Sequence, residues 1–331
     1  MVLRVDKGLN ILLTSVGRRA ALVKSFKRAL EEIGEGRIVS VDANPLSPGL
    51  YLSDAHYIVP RISDDEYIPT LLRICAKHEI GLLIPLIDTE LLLLARERKR
   101  FEHAGVKVCI SEPKVIEICA DKYSTYQFFN RNHIPTLKVF SKKEALSLSP
   151  YPLFIKPRYG SASINAFPVR NEKELRFFLD YIPEPIIQEY SPGMEYTLDI
   201  LADFEGNVVR VVPRERIETR AGETSKGMTV RDTRLIEWGK RITEALGAIG
   251  PVTIQCFVTD SEVKFTEINP RFGGGLPLSL AAGANYPLLL IKMALGKESG
   301  GSIDEFEEGL IMLRYDDATF IRHGEILAGE F

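Results

Sequence analysis

No part of this 331-residue chain carries a paired-thiol motif. Its four cysteines, Cys75, Cys109, Cys119 and Cys256, are widely spaced, mostly in apolar segments, with no CxxC pair and no Cys/His ligand cluster. Buried free thiols in a reducing cytoplasm are the simplest expectation. Neither sign of charge dominates: 42 basic against 45 acidic residues give a net charge of −3. That leaves no basic field for nucleic acid or an anionic membrane, so any anion site must be local. The most apolar run, GLLIPLIDTELLLLA (81–95), is interrupted by Pro85, Asp88 and Glu90, too early for a membrane span. The first residues, MVLRVDKGLN, lack the apolar core of a signal peptide. Internal repeats, low-complexity tracts and flexible linkers are absent too.

What is present suits two to three globular domains, since 45% of the residues are hydrophobic. From Asn10 the pattern runs strand, helix, strand. ILLTSVG ends in Gly17, a helix follows with Leu22, Phe26, Ala29 and Leu30 on one face, and residues 37–43, 56–60, 81–87 and 106–110 supply further buried strands. Helices are expected near 64–78 and 89–103, so the alternation predicts a doubly wound parallel sheet.

The first turn of that sheet, TSVGRR, has one glycine where a dinucleotide fingerprint needs three, which disfavours nicotinamide or flavin. Arg18 and Arg19 put two cations at a helix N-terminus, against the macrodipole. Either one arginine holds a substrate carboxylate or phosphate there, or both are simply solvated. Asp88 and Thr89, with Glu90 in the first turn, read as helix caps.

Downstream, helical sequence over 111–130 surrounds Lys122, and a strand in YPLFIKPRYGSAS ends at Lys156 beside small residues 160–163. A lysine there can reach phosphates while backbone N–H groups cradle them, although each lysine taken singly reads equally as a surface residue. A helix near 171–181 separates this strand from PIIQEY (185–190), whose last residues can offer backbone groups to a flat heterocycle, and from the strand of SPGMEYTLDILAD. Residues 207–230 are dense in Arg, Glu, Thr and Gly; their composition predicts an exposed lid-like loop with Arg214, Arg216, Arg220 and Lys226 available to phosphates. An amphipathic helix over 232–246, a helix over 276–295 and a strand at GLIMLRY complete the chain.

The chemistry concentrates in FTEINPRFGGG (265–275). Glu267 and Asn269 are two apart on a strand and so share a face; their oxygens are hard ligands of the kind magnesium takes, with Arg271 and three glycines behind them. VTIQCFV (252–258) reads as the partner strand of a hairpin. A loop with an odd number of residues, such as 260–262, sets Gln255 opposite Glu267, whereas a two-residue loop sets them on opposite faces.

IQCF, FTEINPR and the glycines after them, with Lys122 and Lys156 in order upstream, resemble the ATP-grasp superfamily. The resemblance covers about residues 10–297 and is greatest to one synthetase half of the carbamoyl phosphate synthetase large subunit and to single-unit carboxylate-amine ligases. It implies an N-terminal Rossmann-like pre-ATP-grasp α/β domain (1–115) and a two-lobed α+β ATP-grasp domain, with a small nucleotide lobe (116–190) and a large metal and phosphate lobe (191–331). It further implies that Lys122 and Lys156 contact ATP phosphates, that Gln188, Glu189 and Tyr190 line the adenine pocket, and that Glu195 faces the ribose. Gln255, Glu267 and Asn269 hold two magnesium ions, for which manganese can substitute, and Arg271, with Arg220 and Lys226, acts on the transferring phosphoryl group. The implied activity is ADP-forming ligation of a small carboxylate to an amine or ammonia through an acyl phosphate. The alternative is a carbamoyl-phosphate-synthetase-like ATP-binding subunit that works only with a partner chain. Cysteine usage and the N-terminus point to a cytoplasmic protein, and the charge balance to no nucleic-acid or membrane partner; by the resemblance it is a homodimer or one subunit of a pair. The loop after Lys156, RYGSASIN, has one glycine where many relatives are glycine-rich.

Overall fold

A computed structural model describes residues 8–147, 151–160, 163–220, 222–298 and 300–327. The chain first lays down a parallel sheet of β1 (Asn10–Thr14), β2 (Ile38–Asp42), β3 (Ala55–Ile58), β4 (Ile80–Pro85) and β5 (Lys107–Val108), in the order β3-β2-β1-β4-β5. Helices α1 (Ala20–Ile33), α2 (Tyr67–Lys77) and α3 (Asp88–His103) connect them. Strands β1, β2 and β4 are almost wholly buried, as a sheet covered on both faces requires. The order reverses between β1 and β4, and at such a switch point the carboxyl ends of the strands leave a crevice.

Helices α4 (Pro113–Ala120) and α5 (Lys122–Arg131) lead to a four-stranded antiparallel sheet ordered β6-β9-β7-β8. Its strands are β6 (Val139–Phe140), β7 (Leu153–Pro157), β8 (Phe167–Val169) and β9 (Pro185–Glu189), with α6 (Lys142–Ser147) and α7 (Glu172–Tyr181) among them. A six-stranded antiparallel sheet follows, ordered β14-β13-β10-β11-β12-β15: β10 (Met194–Ala202), β11 (Val208–Arg220), β12 (Glu223–Thr229), β13 (Gly250–Val258), β14 (Val263–Asn269) and β15 (Ile311–Leu313). Helices α8 (Thr233–Leu246), α9 (Leu276–Ala281) and α10 (Tyr286–Ala294) complete this part.

The cores explain how these sheets are held. One face of the parallel sheet and α1 share a continuous apolar cluster with the six-stranded sheet, Phe26 meeting Phe272 edge to face at 6.0 Å between centroids. The four-stranded sheet keeps its own small cluster around Leu153, Ile155, Leu175 and Ile187. The mixed α/β architecture expected from the sequence is therefore present, with a parallel N-terminal sheet followed by two antiparallel ones.

Three local expectations are corrected. Residues 207–230 form not a loop but the hairpin β11/β12. Composition misled because its arginines are neutralised within the sheet: Arg214 is fully buried against Asp199, and Arg216 pairs with Glu195. The single helix expected over 276–295 is two, α9 and α10, broken where Gly283 takes φ +93°. Asp88 does not cap α3. The buried Glu90 carboxylate does so, accepting from the N–H groups of Leu86 at 2.9 Å and Ile87 at 3.3 Å, and Asp88 is left for another partner.

Candidate functional site

A cleft of about 1340 Å³ opens where the three sheets meet. One wall is the carboxyl edge of the parallel sheet, residues 15–19 and 87–89. A second is the inner side of β7 and β9, and the floor is β10, β11, β13 and β14. Lys122, Lys156, Gln188, Glu189, Tyr190, Glu195, Arg220, Gln255, Glu267, Asn269 and Arg271 all line it. Lys226 is not brought to it: its ammonium turns to Glu218 on the same hairpin, at 2.7 Å. Ser161 and Ala162 of the loop after Lys156 lie outside the described residues.

The floor is set by an irregularity in a hairpin. Strands β13 and β14 are joined by four residues, with Val258 across from Val263, so uninterrupted pairing would place Ile254, a core residue, opposite Glu267. Instead Thr266 is an extra residue in β14, and the register shifts by one between Cys256 and Gln255. The bulge turns Glu267 to the cleft and pairs it with Gln255, the pairing expected from an odd loop but reached another way. Asn269, two residues on, shares that face and donates to Glu267 Oε1 at 3.0 Å. Among the described residues no three His, Cys, Asp or Glu side chains converge as a metal cage. One carboxylate and two amide oxygens instead suit a cation that takes its remaining ligands from phosphate and water, which is magnesium's habit.

Opposite this floor stands Lys156, at the end of β7. It is buried, and among the described residues its ammonium has no hydrogen-bond or ion-pair partner. Its pKa is pushed down to about 8, first by burial and also by Lys122, against the upward pull of Glu267 and Glu195. A buried cation without a direct partner, facing oxygen ligands across a cleft, fits the phosphates of a nucleotide with its metal. Lys122 is held at the same level, its Nζ donating to Gly160 O at 2.6 Å. It opens α5 just after Asp121, whose carboxylate caps the helix and receives Arg158 bidentately at 2.7 and 2.6 Å. Burial alone would raise Asp121, but those bonds, with Ser124 and the Tyr123 N–H, hold it at about 2.

Farther along the wall, Gln188 is buried between Val139 and Phe154, and Glu189 accepts from Lys264 Nζ at 2.8 Å and the Lys138 N–H at 3.2 Å. Burial raises Glu189, yet these donors leave it below the usual carboxylate range. Leu137, Phe154 and Phe257 give this end apolar surfaces suited to a flat ring. Glu195 is raised by burial against the opposing pull of Arg216.

The other end of the cleft belongs to Arg271, whose Nη2 donates to Asp88 Oδ2 at 3.0 Å, and to Arg19, at the N-cap of α1. The β1–α1 turn itself is filled by protein: Gly17 N–H donates to Asp42 Oδ2 at 2.7 Å and Gly17 O accepts from Gly49 N–H at 3.0 Å. Asp42, placed where a dinucleotide fold presents its ribose-binding acid, spends its second oxygen on Asn44 N–H at 2.8 Å. That turn is therefore closed by the protein's own groups.

Three contributors escaped sequence reasoning. Asp199 binds Arg214 at 2.7 and 3.0 Å and Ser279 at 2.6 Å, fixing a buried guanidinium under the cleft. The lone acid within the apolar strand YTLDILA was the available signal. Glu223 and Arg314, paired at 2.8 Å, come from distant segments and carry no such signal.

Two family models match the chain: the PylC-like N-terminal domain over residues 11–109, and the ATP-grasp domain in the biosynthetic pathway with Ter operon over 182–317. The arginine-specific carbamoyl phosphate synthase large chain of Geobacillus stearothermophilus is 26% identical over 235 residues, covering 66% of this chain and 22% of its own length. The D-alanine–D-alanine ligase of Petrotoga mobilis is 26% identical over 213 residues, 57% of this chain and 71% of its own. The chain spans a fifth to a half of the synthase chains it matches. Biotin carboxylase of Campylobacter jejuni superposes with a TM-score of 0.73 at 18% identity, over 91% of this chain and 74% of its own, a likeness of fold. The chain thus carries a PylC-like N-terminal domain over residues 11–109 and an ATP-grasp region over residues 182–317.

Proposed function

We propose that this protein is an ADP-forming ligase that joins a small-molecule carboxylate to an amine or ammonia at the expense of ATP, with magnesium. The observation that carries this reading is the meeting, in one cleft, of the oxygen face Gln255–Glu267–Asn269 with the buried ammonium of Lys156, unpaired among the described residues. In the chain's division, residues 1–115 supply the acceptor wall, 116–190 cover the nucleotide, and 191–331 hold the metal and phosphate floor.

Lys122 and Lys156 bind the phosphates of ATP. The base lies along Gln188, Glu189 and Tyr190, and Glu195 faces the ribose. Gln255, Glu267 and Asn269 would hold the two magnesium ions, whose chemistry there would be to neutralise phosphate charge at the terminal phosphoryl group. A substrate carboxylate oxygen attacks the γ-phosphorus, ADP leaves, and an acyl phosphate forms. The amine then attacks the acyl carbon, phosphate departs, and the amine proton passes to solvent or a cleft carboxylate. Arg271 stabilises the charge that builds on the phosphoryl and tetrahedral oxygens, with Arg220 assisting from the hairpin tip. No side-chain nucleophile is needed, because phosphoryl transfer is won by positioning and charge.

A cytoplasmic setting is supported by four buried free cysteines. The small share of the synthase large chains that this chain spans favours a second reading, a subunit that turns over only beside a partner.

The test is magnesium-dependent release of ADP and phosphate from ATP by the full chain, over pooled carboxylates with and without pooled amines, with Glu267→Ala as control. ADP release that needs both pools and vanishes in the variant is the expected result. AMP in place of ADP overturns the acyl-phosphate route, and tight Mg-ATP binding without turnover moves the reading to the partner-dependent subunit.

A further inference from the structure

The acceptor end of the cleft has a charge pattern of its own. Two ion pairs bridge its rim: Arg271 with Asp88 at 3.0 Å, and Arg314 with Glu223 at 2.8 Å. Between them stands Arg19, which is within electrostatic reach of all four groups. Among the described residues its guanidinium has no hydrogen-bond or ion-pair partner, although it is partly buried and lines the cleft. Burial lowers its pKa, as does Arg271, while Glu223 and Asp88 act against them. The five groups sum to one positive charge.

Beneath them the wall is bare backbone. A Cβ on Gly274 would fall 2.5 Å from Glu223 Oε1, and the backbone there accepts from Arg314 Nη2 at 3.3 Å. At Gly275 the neighbour is Arg214, whose side chain is only 1% exposed and whose Nη1 is buried without a hydrogen-bond partner. Asp199 holds the other two nitrogens of that guanidinium, so Nη1 is enclosed behind Gly275 with no partner among the described residues. A buried donor left unmatched is costly unless something fills it.

We propose that this end binds an α-amino acid as the amine acceptor, its carboxylate gripped by Arg19 and its amino group received by the carboxylates of Glu223 and Asp88. The inference rests on the ligase reading above and narrows its amine to one class. Arg19, the one cation of the five without a partner among the described residues, matches one carboxylate, and the two acids match the amino group, whereas a phosphate dianion would want a second unpaired cation. The two acids, each already holding an arginine at one oxygen, accept from the amino group and leave it poised toward the acyl carbon on the Arg271 side.

The experiment is a thermal-shift titration of the full chain, with magnesium and a non-hydrolysable ATP analogue, against the proteinogenic amino acids in both enantiomers, their carboxamides, and phosphoethanolamine. At least one free acid should raise the melting temperature, and its amide should bind roughly tenfold to hundredfold more weakly, the worth of one charge-assisted bond. Arg19→Ala should lose the amino-acid shift while keeping the shift given by the nucleotide analogue, which shows that it folds; Arg19→Lys should recover part. Equal binding of acid and amide, binding of phosphoethanolamine alone, no amino-acid binding, or undiminished binding to Arg19→Ala overturns the assignment. The wild-type comparison of acid with amide needs no variant. ADP release with amines that lack a carboxylate would leave the ligase standing and sink this inference, while amino-acid binding without any ADP release would do the reverse.

Discussion

Arg271 donates to Asp88 across 3.0 Å, and this bond ties the segment after the hairpin β13/β14 to the first residue of α3, 183 positions earlier in the chain. The cleft is thereby closed at the point where the parallel sheet meets the six-stranded one. Arg271→Ala should lower kcat about a hundredfold to a thousandfold, the scale for losing a preorganised charge at a developing oxyanion. Asp88→Asn, which keeps the shape and removes the charge, should lower kcat less, by about tenfold. Steady-state kinetics of both variants check this; equal losses in the two would make the pair structural rather than catalytic.

Glu267 is the only carboxylate of the oxygen set on the hairpin face. Glu267→Gln should therefore raise the magnesium concentration needed for half-maximal ADP release by at least about tenfold and cut the maximal rate by more than about a hundredfold. Circular dichroism and melting temperature should stay close to wild type, since the side chain is only partly buried and Asn269 can still donate to the amide oxygen.

Lys156 gives a pH signature. Its pKa lies near 8 in the folded chain, below the ordinary lysine value of about 10.4, because burial disfavours the charged form. Between those values the unfolded chain holds a proton that the folded chain lacks, so the stability of the nucleotide-free protein should rise with pH across that window and be flat in this respect below it. Nucleotide affinity should do the opposite, falling above pH 8 by up to about tenfold per pH unit, as the ammonium that meets phosphate is lost. Lys156→Met should flatten both profiles; urea titrations and Mg-ATP binding between pH 7 and 10 measure them.

Asp199 and Arg214 form a pair that is all but inaccessible to solvent. Asp199→Ala strands a buried guanidinium and should cost about 3–5 kcal/mol. Gly275→Ala should cost about 1–3 kcal/mol, because its Cβ would lie 2.3 Å from Arg214 Nη1 and that side chain has no room to retreat. Urea denaturation of both variants reads these losses.

Lys226 and Arg220 are separated by the hairpin they share. Lys226→Ala should leave turnover within about twofold, since exposed pairs such as Lys226 with Glu218 contribute little. Arg220 reaches the cleft from an exposed position paired with Asp316, so Arg220→Ala should raise the apparent KM for ATP, with an effect that shrinks as salt rises.

What the sequence by itself determined is the part governed by short-range rules. Period-two alternation and buried runs specified β1, β2, β4, β9, β10, β13 and β14, because burying an apolar face leaves few alternatives within a few residues. The spacing of Glu267 and Asn269 on one strand placed them on one face, and the single glycine of TSVGRR disfavoured dinucleotide chemistry. Tertiary structure decided whatever depends on a partner far along the chain. The hairpin β11/β12 looked like a loop because arginines read as exposed until Asp199 and Glu195 are brought beside Arg214 and Arg216. Asp88 looked like a cap until Arg271 arrived to claim it. The facing of Gln255 and Glu267 depended on a bulge at Thr266, which loop length does not encode. Charge is the common reason: the cost of burying it is fixed by the residue, but its neutralisation comes from another segment, and only the folded chain says which.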